Sequence, residues 1–240
     1  MIVIPMAGLS SRFFNAGYTQ PKYMLEAGGM PLFDHALLSF AAYFGNTAFL
    51  FIVRDLYDTV AFVKTRCQAL GIKEFRIIAL EQPTRGQAET VYLGLKEVQD
   101  AEPLTIFNID TFRPGFTLPP IADTADGYLE VFRGEGSNWS YAKPADAQST
   151  RVVQTAEKQP ISDLCSTGLY YFRYAADFRQ AYETEAARPA SEWQKQELYI
   201  APLYNHLIAL GKDIHYHLID ASEVIFCGVP EEYQALMAQY

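Results

Sequence analysis

The segment MIVIPMAGLSSRFFNAGYTQPK (residues 1–22) joins an apolar strand to a loop of small residues that carries two cations. Its first five residues are an uninterrupted apolar run, which is typical of a strand covered on both faces. Gly8, Arg12 and Lys22 follow, the last directly after Pro21. In an open parallel sheet, ligands bind beyond the carboxyl ends of the strands. The segment therefore predicts a buried first strand whose following loop faces a ligand.

Strands and helices alternate from this segment as far as Asp110. The residue patterns predict buried strands at 47–53, 74–80 and 103–110, and helices at 31–44, 55–70 and 88–99. Gly71 ends the second of these helices. Such an alternation favours a mostly parallel sheet that is sandwiched by helices.

After Asp110 the pattern changes to strands that are separated by turn residues. Strands are predicted at 125–132, 139–143, 150–158 and 166–172, and their spacing indicates antiparallel pairing. Helices at 175–187 and 195–211, a strand at 214–219 and a helix at 230–239 complete the chain. The predicted fold class is α/β, with a mostly parallel mixed sheet and a small antiparallel accessory part. We predict one domain over residues 1–240, with halves of about 1–112 and 113–240.

The composition limits the classes of partner. The chain has 19 Lys and Arg against 28 Asp and Glu, a formal net charge of −9, which argues against broad attraction to nucleic acid or to an anionic membrane. Cys67, Cys165 and Cys227 are far apart and predict reduced, structural thiols. No apolar run has membrane-spanning length and the first residues do not resemble a signal peptide, so a cytoplasmic location is expected.

Residues of the opening loop suit an anion. Gly8 allows close approach of the backbone, Arg12 offers a planar fork for phosphate oxygens, and Lys22 supplies a mobile point charge. The loop lacks the further glycines of a dinucleotide site and the Gly-Lys-Ser/Thr of a P-loop. From these residues alone, a tight turn with two surface cations remains an alternative.

The run Gly8-Leu9-Ser10-Ser11-Arg12-Phe13, followed by AGYTQPK, resembles the signature of nucleotidyltransferases that activate sugar phosphates and related small-molecule phosphates. The resemblance extends over nearly the whole chain and is closest to a bacterial subgroup found with capsule and surface-polysaccharide synthesis. It implies a nucleotide-diphospho-sugar transferase fold, of the Rossmann-like type, and a nucleotide-binding first half. The nucleotide-binding residues that it implies in the loop are Ala7, Gly8, Leu9, Ser10 and Ser11. Ser10 stands where many members have glycine.

A second segment, EQPTRGQAETV (residues 81–91), follows the third strand. The resemblance assigns Gln82, Thr84 and Gly86 to the nucleobase. An amide side chain offers a donor and an acceptor and can bind cytosine, uracil or thymine. CTP or UTP is favoured by the subgroup resemblance alone.

Two carboxylates are expected to bind Mg²⁺. Asp110 is predicted at the tip of a strand and matches the metal-binding Asp of the family, and Asp220 matches the second acid of the subgroup. Glu223 is the alternative for this second position. Mg²⁺ prefers one or two carboxylates together with phosphate oxygens and waters.

The second half is expected to bind the acceptor. The resemblance assigns Lys158 to the acceptor phosphate and Glu157 to its orientation, although an exposed ion pair is the alternative from the residues alone. Glu197, which is predicted to lie on a helix, would accept hydrogen bonds from the acceptor, as the resemblance implies. The remaining residues implied for this pocket are Lys143, Thr167 and Gly168.

The implied reaction joins an NTP to a phosphorylated acceptor and releases pyrophosphate. Arg12 would stabilise the pyrophosphate, and Lys22 the α-phosphate region. One alternative is a glycosyltransferase of the same general fold, and another is a catalytically silent nucleotide-binding regulatory protein. The acceptor could be a sugar 1-phosphate or a non-sugar phosphate, and a homodimer is an open option.

Overall fold

The computed structural model describes residues 1–240, which form strands, α-helices and short 3-10 turns. The strands are β1 (Ile2–Met6), β2 (Glu26–Ala27), β3 (Met30–Pro31), β4 (Phe49–Val53), β5 (Phe75–Ala79), β6 (Leu104–Phe107), β7 (Thr111–Phe112), β8 (Gly127–Arg133), β9 (Ser140–Pro144), β10 (Val152–Glu157), β11 (Leu164–Phe172), β12 (Ile214–Leu218) and β13 (Ile225–Phe226). The α-helices are α1 (Ser11–Asn15), α2 (Leu32–Leu38), α3 (Thr59–Leu70), α4 (Gln87–Gly94), α5 (Ala175–Ala186), α6 (Leu203–Ala209) and α7 (Pro230–Met237).

The chain divides into two compact units whose segments interleave in sequence. The first unit contains residues 2–83, 108–117 and 222–240, and the second contains residues 84–107 and 118–221 together with Met1. The first unit thus takes segments from both sides of the predicted boundary near residue 112. A single domain over the whole chain stays a prediction.

A parallel sheet forms the centre of the first unit. β4 pairs in parallel with β1 on one side and with β5 on the other, so that Met6, Val53 and Ala79 end the three strands in register. All residues of β1 and β4 are buried, as their apolar runs predict. The segments that follow these residues consequently leave the sheet at one edge, where ligands bind in folds of this type.

Late residues of the chain complete the first unit. β13 pairs antiparallel with β7, with Phe226 opposite Thr111. The amide of Cys227 donates a hydrogen bond to the carbonyl of Asp110 (2.8 Å). These contacts explain why residues 222–240 belong with the opening strands.

β11 is the central strand of the second unit. It pairs antiparallel with β6, β8 and β9, while β9 pairs antiparallel with β10 and β12 pairs in parallel with β8. The antiparallel pairing predicted for the chain after Asp110 is present, and it also includes β6. The predicted class, a mixed α/β fold with a parallel sheet, flanking helices and antiparallel additions, is confirmed.

Two local predictions are wrong. The helix predicted over residues 195–211 forms only from Leu203 to Ala209, because Pro202 cannot stand inside a helix and Lys195 and Gln196 adopt left-handed backbone (φ 55° and 60°). Glu197 therefore lies in extended backbone before the helix. The strand predicted to end at Asp110 ends at Phe107.

None of the helices is both long and apolar enough to cross a membrane. The three cysteines are free and buried, as predicted. Burial raises the pKa of the Cys67 and Cys227 thiols to about 12 and that of Cys165 to about 11, which keeps all three protonated and poorly nucleophilic.

Candidate functional site

The opening loop ends in a strained residue that is tied to Lys22. Ser10 directly precedes α1 and has φ 53°, a left-handed conformation that glycine adopts most easily. Its hydroxyl accepts a hydrogen bond from the amide of Lys22 (3.1 Å). The serine therefore lacks the conformational freedom of glycine, but its hydroxyl makes a contact that glycine could not make. This contact joins residue 10 to residue 22.

Lys22 and Asp110 form the central ion pair of the first unit. The Lys22 Nζ donates a hydrogen bond to Asp110 Oδ2. Their side chains are 23% and 22% exposed, so both remain accessible to a ligand. Asp110 lies in the turn before β7. Its carboxylate already contacts one cation, the ammonium of Lys22.

The segment before α7 closes around the same carboxylate. A Cβ atom on Gly228 would lie 3.0 Å from Asp110 Oδ2, so the backbone of Gly228 packs directly against this oxygen. Glu232 holds that backbone, because its Oε2 accepts hydrogen bonds from the amides of Gly228 (2.7 Å) and Val229 (3.2 Å). Gly228 is thus a residue of the site that none of the predicted assignments includes.

Arg12 and Gln82 are exposed in the segments that follow β1 and β5. The Arg12 side chain on α1 makes no ion pair or hydrogen bond, and the amide of Gln82 is likewise unengaged. Arg12 is thus an uncompensated cation in an acidic protein. Both side chains are free to bind a ligand, which is compatible with their predicted roles.

The two candidates for the second metal ligand differ in their surroundings. Glu223 lies 3.2 Å from Arg113, whose amide donates to the hydroxyl of Ser39 (2.8 Å), so Glu223 is held in an ion pair. Asp220 is exposed directly before a 3-10 turn. The choice between Asp220 and Glu223 as second metal ligand stays a prediction.

The residues present could hold one hard cation such as Mg²⁺ only if a bound ligand supplied further oxygen atoms. Asp110 supplies an accessible carboxylate, and no group of three or more His, Cys, Asp or Glu side chains could hold a metal without further ligands. Mg²⁺ takes one or two carboxylates together with phosphate oxygens. A Mg²⁺ ion at Asp110 would therefore require a phosphorylated ligand.

Thr84 and Gly86, in the second unit, have structural partners. Gly86 has φ 148°, and a Cβ atom there would lie 2.5 Å from the carbonyl oxygen of Leu198, so only glycine fits. The Thr84 hydroxyl bonds to the hydroxyl of Thr90 (2.7 Å) at the start of α4. These contacts explain both residues without a ligand, and their role at a nucleobase stays a prediction.

Glu157 ends β10 as a buried carboxylate. The hydroxyl of Ser140 donates to it, and its amide donates to the side-chain carbonyl of Gln194 (2.5 Å). Burial raises the pKa of Glu157 above its ordinary value, and the nearby charge of Glu197 raises it further, while Ser140 and Lys158 oppose the shift. Glu157, Lys158 and Glu197 are therefore brought together, and their role at an acceptor stays a prediction.

Lys158 is held by an aromatic residue that no sequence pattern indicated. Its Nζ donates to the hydroxyl of Tyr199 (2.7 Å) and lies 4.7 Å from the centre of the same ring. Lys158 also has φ 53°, and such strained backbone is concentrated at functional sites. Tyr199 lies in the segment wrongly predicted as a helix, so no periodic pattern indicated the contact.

The other residues predicted for the acceptor pocket are not all accessible. Thr167 is 1% exposed, and its hydroxyl donates to Glu130 (3.1 Å). Gly168 has φ 89° and lies where the register of β11 against β8 shifts. Lys143 on β9 and Glu197 are exposed. Contact of these four residues with an acceptor stays a prediction.

Comparison with known proteins gives a clear result for solved structures. No protein-family model and no curated protein matches the chain. The nucleoside-diphosphate-sugar pyrophosphorylase from Vibrio cholerae RC9 is 62% identical to the chain, with a TM-score of 0.97 and 100% of both chains covered. A UTP-bound UGPase from Acinetobacter baumannii (14% identity, TM-score 0.73, 100% and 92% covered) and an inositol-1-phosphate CTP transferase from T. maritima (14%, 0.72, 99% and 94%) share the fold.

An α/β fold with a cation-bearing loop and a carboxylate at the ligand edge of its sheet agrees with the nucleotidyltransferase class that the resemblance of the opening loop implies. The chain belongs to the nucleoside-diphosphate-sugar pyrophosphorylase family. It is a nucleotidyltransferase enzyme, so neither a glycosyltransferase nor a silent regulatory protein is the preferred interpretation.

Proposed function

We propose that the enzyme transfers a nucleotidyl group, with Mg²⁺, from an NTP to a phosphorylated small-molecule acceptor and releases pyrophosphate. The contact of the Lys22 ammonium with the Asp110 carboxylate carries the proposal. It joins the loop after the first strand to the predicted metal ligand within one unit. A triphosphate bound to that loop would meet a cation and a metal-binding carboxylate at the same point.

Each side chain has one role in the proposed reaction. Arg12 binds the leaving pyrophosphate, and Lys22 binds oxygens of the α-phosphate as charge develops there. Asp110 would hold Mg²⁺, which when bound would neutralise phosphate charge. The backbone of Gly228, which packs against Asp110 Oδ2, fixes the position of the Asp110 carboxylate.

The acceptor needs no general base. A phosphate monoester is already an anion near neutral pH, so its oxygen can attack the α-phosphorus directly. Lys158, oriented by Tyr199, holds this phosphate, and Glu157 and Glu197 accept hydrogen bonds from acceptor hydroxyls. Catalysis then consists of positioning and charge neutralisation.

The favoured substrates follow from the exposed Gln82 amide and from relatives. The names of two fold relatives include UTP and CTP, which supports a pyrimidine nucleotide as the donor. We therefore propose CTP or UTP. The 62%-identical relative is named as a nucleoside-diphosphate-sugar pyrophosphorylase, which supports a sugar 1-phosphate or similar acceptor. We propose a cytoplasmic role in the synthesis of capsule or surface-polysaccharide precursors.

Thermal stabilisation identifies the nucleotide. Melting temperatures are measured with Mg²⁺ and CTP, UTP, dTTP, GTP or ATP in turn, each at about 100 times a micromolar Kd, where one bound ligand adds about 2.7 kcal/mol. The proposal predicts a clear rise with CTP or UTP and smaller rises with purines. A rise only with nucleotide diphosphate sugars, and none with triphosphates, would contradict it.

A further inference from the structure

Arg54 lies at the ligand edge of the first unit and has no role so far. It directly follows Val53, the last residue of β4, which pairs with Met6 at the end of β1. The side chain therefore starts beside Ala7 in the opening loop. Arg54 belongs to no recognised motif, so no sequence pattern indicates a role for it.

The guanidinium of Arg54 contains a buried donor without an acceptor. Its Nε has no solvent access and makes no hydrogen bond. Neither of the neighbouring acids forms an ion pair with it: Asp55 accepts a hydrogen bond from the amide of Val60 (3.0 Å), and Asp58 has no ion-pair partner. A buried charged donor is costly when it lacks a partner, so such a group indicates a missing acceptor.

Arg54 lines a pocket together with residues of the two segments that carry Arg12 and Lys22, the predicted phosphate-binding cations. Gly8, Pro21 and Arg54 line it, and Leu9 and Tyr57 form part of its wall. No atom lies within 4 Å of the position of a Cβ atom on Gly8, so a ligand can approach the backbone there. Pro21 precedes Lys22, and Gly8 belongs to the loop that leads to Arg12.

The turn that carries Arg54 is held in a strained conformation. Tyr57 and Asp58 have consecutive left-handed backbones (φ 64° and 53°), which are costly for residues other than glycine. The ring of Tyr57 stacks on Phe14, with ring centres 5.5 Å apart. Because Phe14 lies on α1 two residues after Arg12, this contact fixes the Arg54 turn against the helix of the exposed cation.

The charges of the site call for a further cation. Lys22 is compensated by Asp110, which leaves Arg12 as the uncompensated cation of the opening loop. A triphosphate, or the pyrophosphate that leaves it, carries more negative charge than one Mg²⁺ neutralises. Arg54 is placed to supply the difference, with a planar fork that suits phosphate oxygens.

We propose that Arg54 is a third phosphate-binding cation, which contacts the β- and γ-phosphates of the NTP and then the pyrophosphate. This inference rests on the proposed function. It assigns the pocket between Gly8, Pro21 and Arg54 to the leaving group rather than to the nucleoside.

The test compares wild-type protein with R54K, R54Q and K64Q. Lys64 is exposed on α3 of the same unit, so K64Q removes one positive charge at a site away from the pocket. Calorimetric titrations with Mg²⁺ measure the Kd of inorganic pyrophosphate and of the monophosphates CMP and UMP. Loss of one charge-assisted hydrogen bond corresponds to about a 10- to 100-fold weaker Kd.

R54Q is expected to weaken pyrophosphate binding at least 10-fold, and R54K is expected to weaken it less. K64Q should weaken it by less than about 2-fold. Monophosphate binding should be unchanged in all three variants. The ligand-free R54Q is expected to melt at or above the wild-type temperature, because the replaced donor has no partner. Equal pyrophosphate binding by wild type and R54Q, a lower melting temperature of R54Q, or an equal loss of monophosphate binding would overturn the assignment. Wild-type protein that binds neither pyrophosphate nor any triphosphate would instead overturn the proposed function itself.

Discussion

The ammonium of Lys22 contacts the carboxylate of Asp110, so that two residues 88 positions apart form one charge pair. Three contacts fix this pair: the Ser10 hydroxyl accepts from the Lys22 amide, the Cys227 amide donates to the Asp110 carbonyl, and the Gly228 backbone packs beside Oδ2. The pair is accessible and not part of the core. A ligand can therefore reach both members of this partly buried pair, as the proposed function requires.

Asp110→Asn tests the metal assignment. The amide lacks the negative charge that binds Mg²⁺, so kcat for pyrophosphate release is expected to fall at least about 100-fold, with little change in the unfolding midpoint. D123N, which alters an exposed carboxylate, serves as the control and should retain normal turnover. Near-normal activity of D110N would show that Asp110 is not a metal ligand.

Two substitutions of Ser10 separate strain from hydrogen bonding. Ser10→Ala keeps the left-handed strain and loses the contact with Lys22, and it is expected to lower the free energy of unfolding by about 1 kcal/mol. Ser10→Gly loses the same contact but relieves about 1 kcal/mol of strain, so it should be close to neutral. Urea denaturation measures both values. If the alanine variant is the more stable of the two, the account of this loop is wrong.

Gly228→Ala tests whether the backbone near Asp110 positions the carboxylate. The new Cβ would lie 3.0 Å from Oδ2 and would displace the carboxylate by a few tenths of an ångström. We expect kcat to fall about 10-fold, since small displacements of catalytic groups have large kinetic effects. Gly45→Ala is the matched control, because a Cβ there meets no atom within 4 Å. Equal kcat values for the two variants would contradict the proposed positioning.

Tyr199 is expected to act through Lys158. Tyr199→Phe removes the hydroxyl that accepts from Lys158 and keeps the ring, so the KM for the acceptor should rise about 3- to 10-fold while the KM for the NTP is unchanged. Steady-state kinetics in the Lys158→Met background provide the decisive comparison. There the tyrosine substitution should have no further effect, and a full additional loss would exclude the coupling.

The buried carboxylate of Glu157 makes stability depend on pH. Burial raises its pKa in the folded protein above that of the unfolded chain, so the unfolded chain releases this proton first as pH rises. Stability is therefore lost as pH rises from the unfolded pKa through the folded pKa. Glu157→Gln should exceed wild type in melting temperature at pH 7, and the difference should vanish below about pH 4. A difference that grows on acidification would contradict this assignment.

Patterns in the sequence predict those features that depend on local chemistry. The apolar runs identify β1, β4 and β5, and the glycine at residue 71, with φ 77°, ends α3 as predicted. The loop residues Ser10 and Lys22 are found in contact. Contacts between distant segments carry no such local signal, and this applies to Tyr199 on Lys158.

Two errors have a common physical origin. Residues 195–202 have helix-like composition, but Pro202 and the left-handed backbone of Lys195 override it. The strand before Asp110 ends three residues early, because β7 turns to pair with β13 from the end of the chain. In the first case single residues outweigh the average helix preference of the segment. In the second case pairing with a distant strand outweighs the strand preference of the residues before Asp110.

The most direct test of the proposed function is ³¹P NMR of the enzyme with Mg²⁺, CTP or UTP, and a panel of sugar 1-phosphates and other phosphorylated acceptors. The account predicts that pyrophosphate and a diphosphate-linked product appear in equal amounts, only when a suitable acceptor is present, and at least about 100-fold more slowly with D110N. Release of orthophosphate, or pyrophosphate formation at the same rate without any acceptor, would contradict it.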